Sequence, residues 1–130
     1  MAMQKNQMAA VKKRKNQLIK TKPAAYTILP NTEDFGTTFT QGAGVTAEVI
    51  ITLPSAKVGA WYKFIVGSAQ NLTILPGLTT DTIALPSTGA QGTANISIEA
   101  NAIGESVELE CFVEGDWNCN NYIGTWIATT

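Results

Sequence analysis

Hydrophobic and polar residues alternate along much of the chain after residue 23, and this pattern predicts short β-strands. The clearest case is the stretch 45–53, in which Val49 and Ile51 share one face and Thr52 lies on the other. Alternation with a period of two residues is typical of a strand that is buried on one face. Pro54 ends the stretch, because proline lacks the backbone N–H that a strand ladder needs.

The same pattern predicts further strands, which are bounded by Pro, Gly and Asn and lie at 61–66, 71–75, 81–85, 93–99 and 107–113. From the last of these, a turn at 114–116 leads back through Trp117 and predicts a hairpin. A three-residue turn would set Cys111 opposite Cys119 and would allow a disulfide under oxidising conditions, although the register stays open. No strong helix pattern occurs in 23–130. About seven or eight short strands favour an all-β fold, either jelly-roll-like, a β-sandwich or a barrel.

Residues 1–22 differ from the rest of the chain in composition and charge. They carry seven Lys and Arg residues and no acid, whereas 23–130 carries two Lys and ten acids, so the net charge of −1 conceals a basic segment on an acidic body. The few apolar residues of the segment form only a weak helical stripe, which is too thin to fold alone. We therefore expect two parts, a basic N-terminal arm at 1–22 that orders on a partner and a β domain at 23–130.

The composition argues against catalysis. The 130 residues contain no His, which excludes His-based acid–base chemistry and His metal sites, and they contain neither a G-x-S-x-G nor a P-loop motif. Glu108, Glu110 and Glu114 form an acidic stripe, but with Asp116 they lack the spacing of a calcium loop. We expect no enzyme activity, no cofactor and no metal. Only 15% of residues are charged, while 17 are Thr and 11 are Gly, which favours a β body that packs on neighbours.

Membrane and export signals are also missing from the sequence. No apolar run of about 18 residues could form a transmembrane helix, and no apolar stretch of about 7–15 residues follows the basic N-terminus as in a signal peptide. We therefore expect no membrane partner, assembly in the cytoplasm, and reduced Cys111 and Cys119.

Several segments, taken in order, resemble the β-modules of tailed-phage virion proteins, a family of head decoration (cement) proteins and of head or tail fibre modules. The resemblance covers about residues 25–128 and does not reach the N-terminal arm. It is carried by Ala25-Tyr26-Thr27-Ile28-Leu29, Asp34-Phe35-Gly36-Thr37-Thr38-Phe39, Val49-Ile50-Ile51-Thr52-Leu53-Pro54, Gly59-Ala60-Trp61-Tyr62-Lys63-Phe64-Ile65-Val66, Asn71-Leu72-Thr73-Ile74-Leu75-Pro76, Asp81-Thr82-Ile83, Gly104-Glu105-Ser106-Val107-Glu108-Leu109, Trp117 and Gly124-Thr125-Trp126.

This resemblance implies a structural virion protein on the capsid surface, a homotrimer whose partner is the major capsid protein. Decoration proteins of this kind reach neighbouring capsid subunits with extended arms. The residues expected to bind the capsid are those of the arm, Val11, Lys12, Lys13, Arg14, Lys15, Leu18, Ile19, Lys20 and Lys22. The residues considered for a subunit interface, with the chain's own core as the alternative, are Trp61, Tyr62, Phe64, Trp117 and Trp126.

Two other functions stay open on the sequence alone. The chain could be a fibre or spike subunit whose N-terminus anchors it to the virion. It could also be a small coat protein whose basic arm binds the genome. Nucleic-acid recognition is the less favoured use of the arm, because no aromatic residue lies among its charges to stack on bases.

Overall fold

The computed structural model describes residues 19–30 and 33–129, and within these ranges the chain forms eleven strands and no helix. Six strands form the first sheet, in the order β1 (Ile19–Thr21), β3 (Thr38–Thr40), β5 (Trp61–Ile65), β9 (Ser106–Val113), β10 (Asp116–Ile123) and β7 (Thr82–Ile83). Five strands form the second sheet, in the order β11 (Ile127–Thr129), β8 (Ser97–Ala100), β6 (Leu72–Leu75), β4 (Val49–Thr52) and β2 (Tyr26–Thr27). The prediction of an all-β, sandwich-like body is thus confirmed.

The first six strands alternate between the two sheets. Strands β1, β3 and β5 lie side by side and parallel in the first sheet, and β2, β4 and β6 do the same in the second. Parallel neighbours require a crossover, and here each crossover contains a strand of the opposite sheet. The chain therefore makes three turns of a flattened β-solenoid. The strands that follow extend the two sheets in antiparallel pairing, with β9 beside β5 and β8 beside β6.

The core lies between the sheets and is filled from both. Aromatic rings run across the first sheet, from Phe39 to Phe64 at 5.8 Å between ring centroids, and from Phe39 through Tyr62 to Trp117 at 6.0 and 6.1 Å. Aliphatic side chains such as Ile51 oppose them from the second sheet and are fully buried. Offset and tilted aromatic pairs of this kind add to the stabilisation that burial gives.

Several predicted strands exist but are shorter than the alternation suggested. Of the stretch 45–53, only Val49–Thr52 is a strand. Its neighbour β6 begins at Leu72, so the residues before Val49 have no partner in the ladder. The hydrophobic alternation identified the strand, and the length of its neighbour set its limits.

The hairpin at the end of the first sheet is confirmed, but its register corrects the proposed cysteine pairing. The turn consists of Glu114 and Gly115, and Asp116 pairs with Val113. Gly115 has a φ of 94°, a value that favours glycine. A bulge next to this pair then sets Cys111 opposite Trp117.

Candidate interaction site

The structure places the last residues of the expected arm in the body. Ile19 and Lys20 belong to β1, which pairs in parallel with β3, and the Lys22 amide donates to the Thr40 carbonyl oxygen at 2.8 Å. The other capsid-binding candidates, Val11, Lys12, Lys13, Arg14, Lys15 and Leu18, lie outside the described residues. The attachment of the arm to the body therefore includes residues that the sequence assigned to the arm.

A buried carboxylate holds this first strand. Glu33 is 1% exposed, and its Oε2 accepts from Lys20 Nζ at 2.7 Å. Its Oε1 accepts from Tyr26 Oη and from the Leu29 amide, the latter at 3.2 Å. We call Lys20, Tyr26 and Glu33 the Glu33 cluster, which ties β1, β2 and the loop after β2 together.

Electrostatics keep this carboxylate ionised. Burial by itself would raise the pKa of Glu33, but the hydrogen bonds from Lys20, Tyr26 and the Leu29 amide outweigh it and lower the pKa below the usual 4.5. Burial, together with the hydrogen bond to Glu33, raises the pKa of Tyr26 to about 12. At neutral pH the cluster thus contains a buried anion, a cation and a neutral phenol.

Lys22 adds a second cation to the same end of the molecule. Its Nζ lies 3.7 Å from the centroid of the Tyr26 ring. A cation over an aromatic face is attracted by the negative charge density of the ring. Two of the seven basic residues of the arm are therefore engaged by the body itself.

Four of the five aromatic residues considered for a subunit interface belong to the chain's own core. Tyr62, Phe64 and Trp117 are 0% exposed and Trp126 is 1% exposed, so none of them offers surface to a partner. Tyr62, Phe64 and Trp117 lie on strands whose alternation turns their rings between the sheets, and Trp126 lies in the connection between β10 and β11. The Trp126 Nε1 donates to the Ser106 carbonyl oxygen at 2.9 Å, which fixes the ring from inside.

Trp61 differs, because it lies on the outer face of β5 and is 39% exposed. Its ring covers Gly36, where an added Cβ would come within 2.7 Å of Trp61 Cζ2. The Gly36 amide donates to the Trp61 carbonyl oxygen at 2.8 Å, and Gly36 has a φ of 87°. Trp61 remains an interface candidate with one face already packed.

The two outer faces of the sandwich differ in charge. On the first sheet, Lys63 pairs with Glu108 and Trp61 with Glu110 across neighbouring strands. On the second sheet, the outward positions hold mostly threonine and aliphatic residues, among them Ile50, Thr52, Thr73, Leu75 and Ile127, together with the acid Glu99.

Two carboxylates on the outer face of the second sheet lie beside the same threonine hydroxyl. Thr73 Oγ1 lies 2.6 Å from Glu48 Oε2 and 3.2 Å from Glu99 Oε2. Apart from these two residues, the described residues on the outer face of the second sheet are uncharged. Such a surface can pack against another protein without stripping water from many charges.

Two side chains of the acidic stripe contact neighbouring side chains. Glu114 pairs with Lys57 at 2.7 Å on the surface, and Glu110 accepts from Asn120 Nδ2. Among the described residues, no group of three His, Cys, Asp or Glu side chains could hold a metal ion. A groove of about 580 Å³ near Ile83 and Ile96 has no charged residue in its lining.

Sequence reasoning missed the two residues that hold the arm. Glu33 lies 13 positions after Lys20, and Tyr26 lies between them on a different strand. No motif spacing connects these three positions, because they meet only through the crossover from one sheet to the other. The sole signal was that Glu33 and Asp34 are the first acids after the basic segment.

Comparison with protein-family models, curated proteins and solved structures finds no match to the chain. In the part of the chain that the structure describes, no helix has the length and apolar character needed to cross a membrane.

Proposed function

We propose that the protein is a structural virion component, a capsid decoration protein that binds the outer capsid surface as a homotrimer. Its N-terminal segment would clamp neighbouring subunits of the major capsid protein. The observation that carries the proposal is a basic segment tied by its last residues to an acidic β body through the Glu33 cluster. The resemblance of residues 25–128 to tailed-phage virion modules supplies the capsid as partner.

The separation of charge supports a role for the segment as a binding arm. The segment 1–22 has seven basic residues and no acid, whereas the body that follows it in the sequence has eight more acids than bases. Glu33 pairs with Lys20 and the Tyr26 ring attracts Lys22, so two cations of the arm are already engaged where it joins the body. The remaining five basic residues are then the ones that attract an acidic partner, and three arms per trimer would give avidity.

The outer face of the second sheet supports contacts between copies. Its threonine and aliphatic residues form a nearly uncharged surface across four strands, in contrast to the first sheet. Contacts that form only in the assembled shell stabilise the shell relative to its free subunits, because binding to one state shifts the equilibrium toward that state.

Binding to capsids that lack the chain tests the proposal. The truncated chain 19–130 keeps β1 and every core residue, so it should fold and form the same oligomer as the full chain. We expect full-length protein to sediment with capsids, and we expect the truncated chain to bind at least about tenfold more weakly through loss of charge and avidity. Equal binding of the two would contradict a clamping arm.

A charge variant separates the arm from the body in this assay. Replacing Lys12, Lys13, Arg14 and Lys15 by Gln should weaken capsid binding and its dependence on salt. The matched control replaces the body residues Lys57 and Lys63 by Gln and should leave binding unchanged.

A fibre or spike subunit is the second candidate, and the flattened β-solenoid formed by β1 to β6 favours it. Parallel strands that stack turn upon turn suit elongated assemblies, in which each unit contacts its neighbours along one direction. Fibres occur in few copies per particle, so stoichiometry separates this function from decoration.

A further inference from the structure

The first strand is attached to the body mainly by polar contacts. Ile19 is 64% exposed, Lys20 points inward to Glu33, and Thr21 is exposed. The first fully buried apolar residue along the described chain is Ile28. Release of β1 would therefore expose almost no buried apolar surface. The other strands are stabilised mainly by the burial of apolar side chains.

The ladder that holds β1 is also short and one-sided. Three residues pair with β3, and β1 is the outermost strand of its sheet among the described residues. Strand β3 also pairs with β5 on its other side, so its ladder does not rest on β1 alone. Segments with few buried contacts open locally without unfolding the rest of a protein.

We propose that β1 is a detachable strand, latched by the Glu33 cluster, and that its release separates residues 19–25 from the body while the body stays folded. Seven extended residues span about 23 Å. Tyr26 and Glu33 stay with the body, whereas Lys20 and Lys22 leave with the strand. The release depends on the protein alone, and only its use in capsid binding rests on the proposed function.

The contacts within the Glu33 cluster indicate which kind of partner could compete with the body for β1. Glu33 contacts Lys20 of β1 and Tyr26 of β2. Burial, together with the negative charges of Glu33 and Asp34, raises the pKa of Tyr62 on β5. An acidic protein surface offers Lys20 carboxylates like that of Glu33, and it offers Lys22 an anionic partner in place of the Tyr26 ring. The partner that fits the released strand is therefore an acidic surface and not an apolar groove.

Hydrogen exchange of the full-length protein at neutral pH tests this directly. Amides of residues 19–22 should exchange at least about tenfold faster than those of β9, because they open without global unfolding. In Glu33→Gln, the amide group of Gln faces Lys20 Nζ and the ion pair is lost. Protection of 19–22 should then fall by about another tenfold, and these amides should still exchange faster than those of β9, whose protection should fall by no more than the same factor.

The surface pair of Lys57 and Glu114 provides the matched control. It has the same 2.7 Å separation, but its side chains are 64% and 67% exposed, so Glu114→Gln should change no protection factor. If Glu33→Gln does not fold, Lys20→Gln removes the same ion pair from the strand that leaves.

Two results would overturn the proposal. In one, 19–22 and β9 exchange at the same rate in the wild-type protein, which means that β1 opens only when the whole body unfolds. In the other, the folded Glu33 or Lys20 variant protects 19–22 as well as the wild type does. Neither result involves capsids, so this inference can fail while the proposed function stands, and the reverse.

Discussion

The half-buried Tyr26 and the fully buried Tyr62 differ in what their hydroxyl groups contact. Tyr26 donates to the Glu33 carboxylate, whereas Tyr62 Oη, in the middle of the core, has no hydrogen-bond partner among the described residues. A buried polar atom without a partner loses its water and gains nothing in return. A hydrogen bond to a charged group, in contrast, is among the stronger polar contacts in a protein.

The two hydroxyls should therefore respond oppositely to removal. Tyr62→Phe keeps the ring stack with Phe39 and Trp117 and should leave the free energy of unfolding within about 0.5 kcal/mol of wild type, or raise it. Tyr26→Phe should lower it by about 1–3 kcal/mol, because Glu33 loses a donor. Urea denaturation of the two variants measures both values, and equal losses would contradict these contacts.

Acid should destabilise the protein through Glu33. The pKa of Glu33 is lower in the folded protein than the usual 4.5, so the folded state binds the proton more weakly than the unfolded chain does. This contribution to stability is present above about pH 4.5 and is lost as pH falls through the folded pKa. Unfolding curves between pH 6 and 3 should show the loss, and Glu33→Gln should flatten that acid limb.

At the scale of the strand, alternation identified β4 to β9, and it missed the short strands β1, β2, β3 and β11. The run from Val107 to Cys111 alternates clearly and lies at the centre of the first sheet. The three residues of β1 carry no such signal, and only their pairing with β3 makes them a strand. For Tyr62 and Phe64 the sequence left both an interface and the core open, and the alternation of β5 alone did not show that these two residues face the chain's own second sheet.

The register of the last hairpin leads to a prediction about its two cysteines. Cys111 is opposite Trp117 and is 1% exposed, while Cys119 is opposite Leu109 and half-buried, so the pair should not form an intramolecular disulfide. Burial raises the pKa of both thiols, which slows alkylation.

Mass spectrometry after mild oxidation should find no bridge within the chain. Iodoacetamide should modify Cys119 before Cys111, which becomes accessible only on unfolding. A bridge between Cys111 and Cys119 in folded protein, or equal labelling of the two, would show that the bulge beside Asp116 is misplaced.

At the scale of the whole molecule, the two outer faces of the sandwich should have different roles. Thr52 on the second sheet and Thr38 on the first are both half-buried, outward-facing and flanked by paired strands. In the proposed trimer, the uncharged second face packs against a neighbouring copy, where a new charge would lose its water.

Thr52→Lys should therefore dissociate the oligomer, whereas the matched variant Thr38→Lys should not. Native mass spectrometry reports the result as a change from three times the chain mass of 13.8 kDa to that mass alone. Dissociation by Thr38→Lys, with an intact Thr52→Lys oligomer, would place the contact on the other face.

The number of copies per virion tests the proposed function most directly. Quantitative mass spectrometry of purified particles that carry the chain gives its ratio to the major capsid protein. A decoration protein should be present in a fixed ratio of the same order as the capsid protein itself. A handful of copies per particle would contradict decoration and indicate a fibre or spike, and absence from the particle would contradict a virion protein altogether.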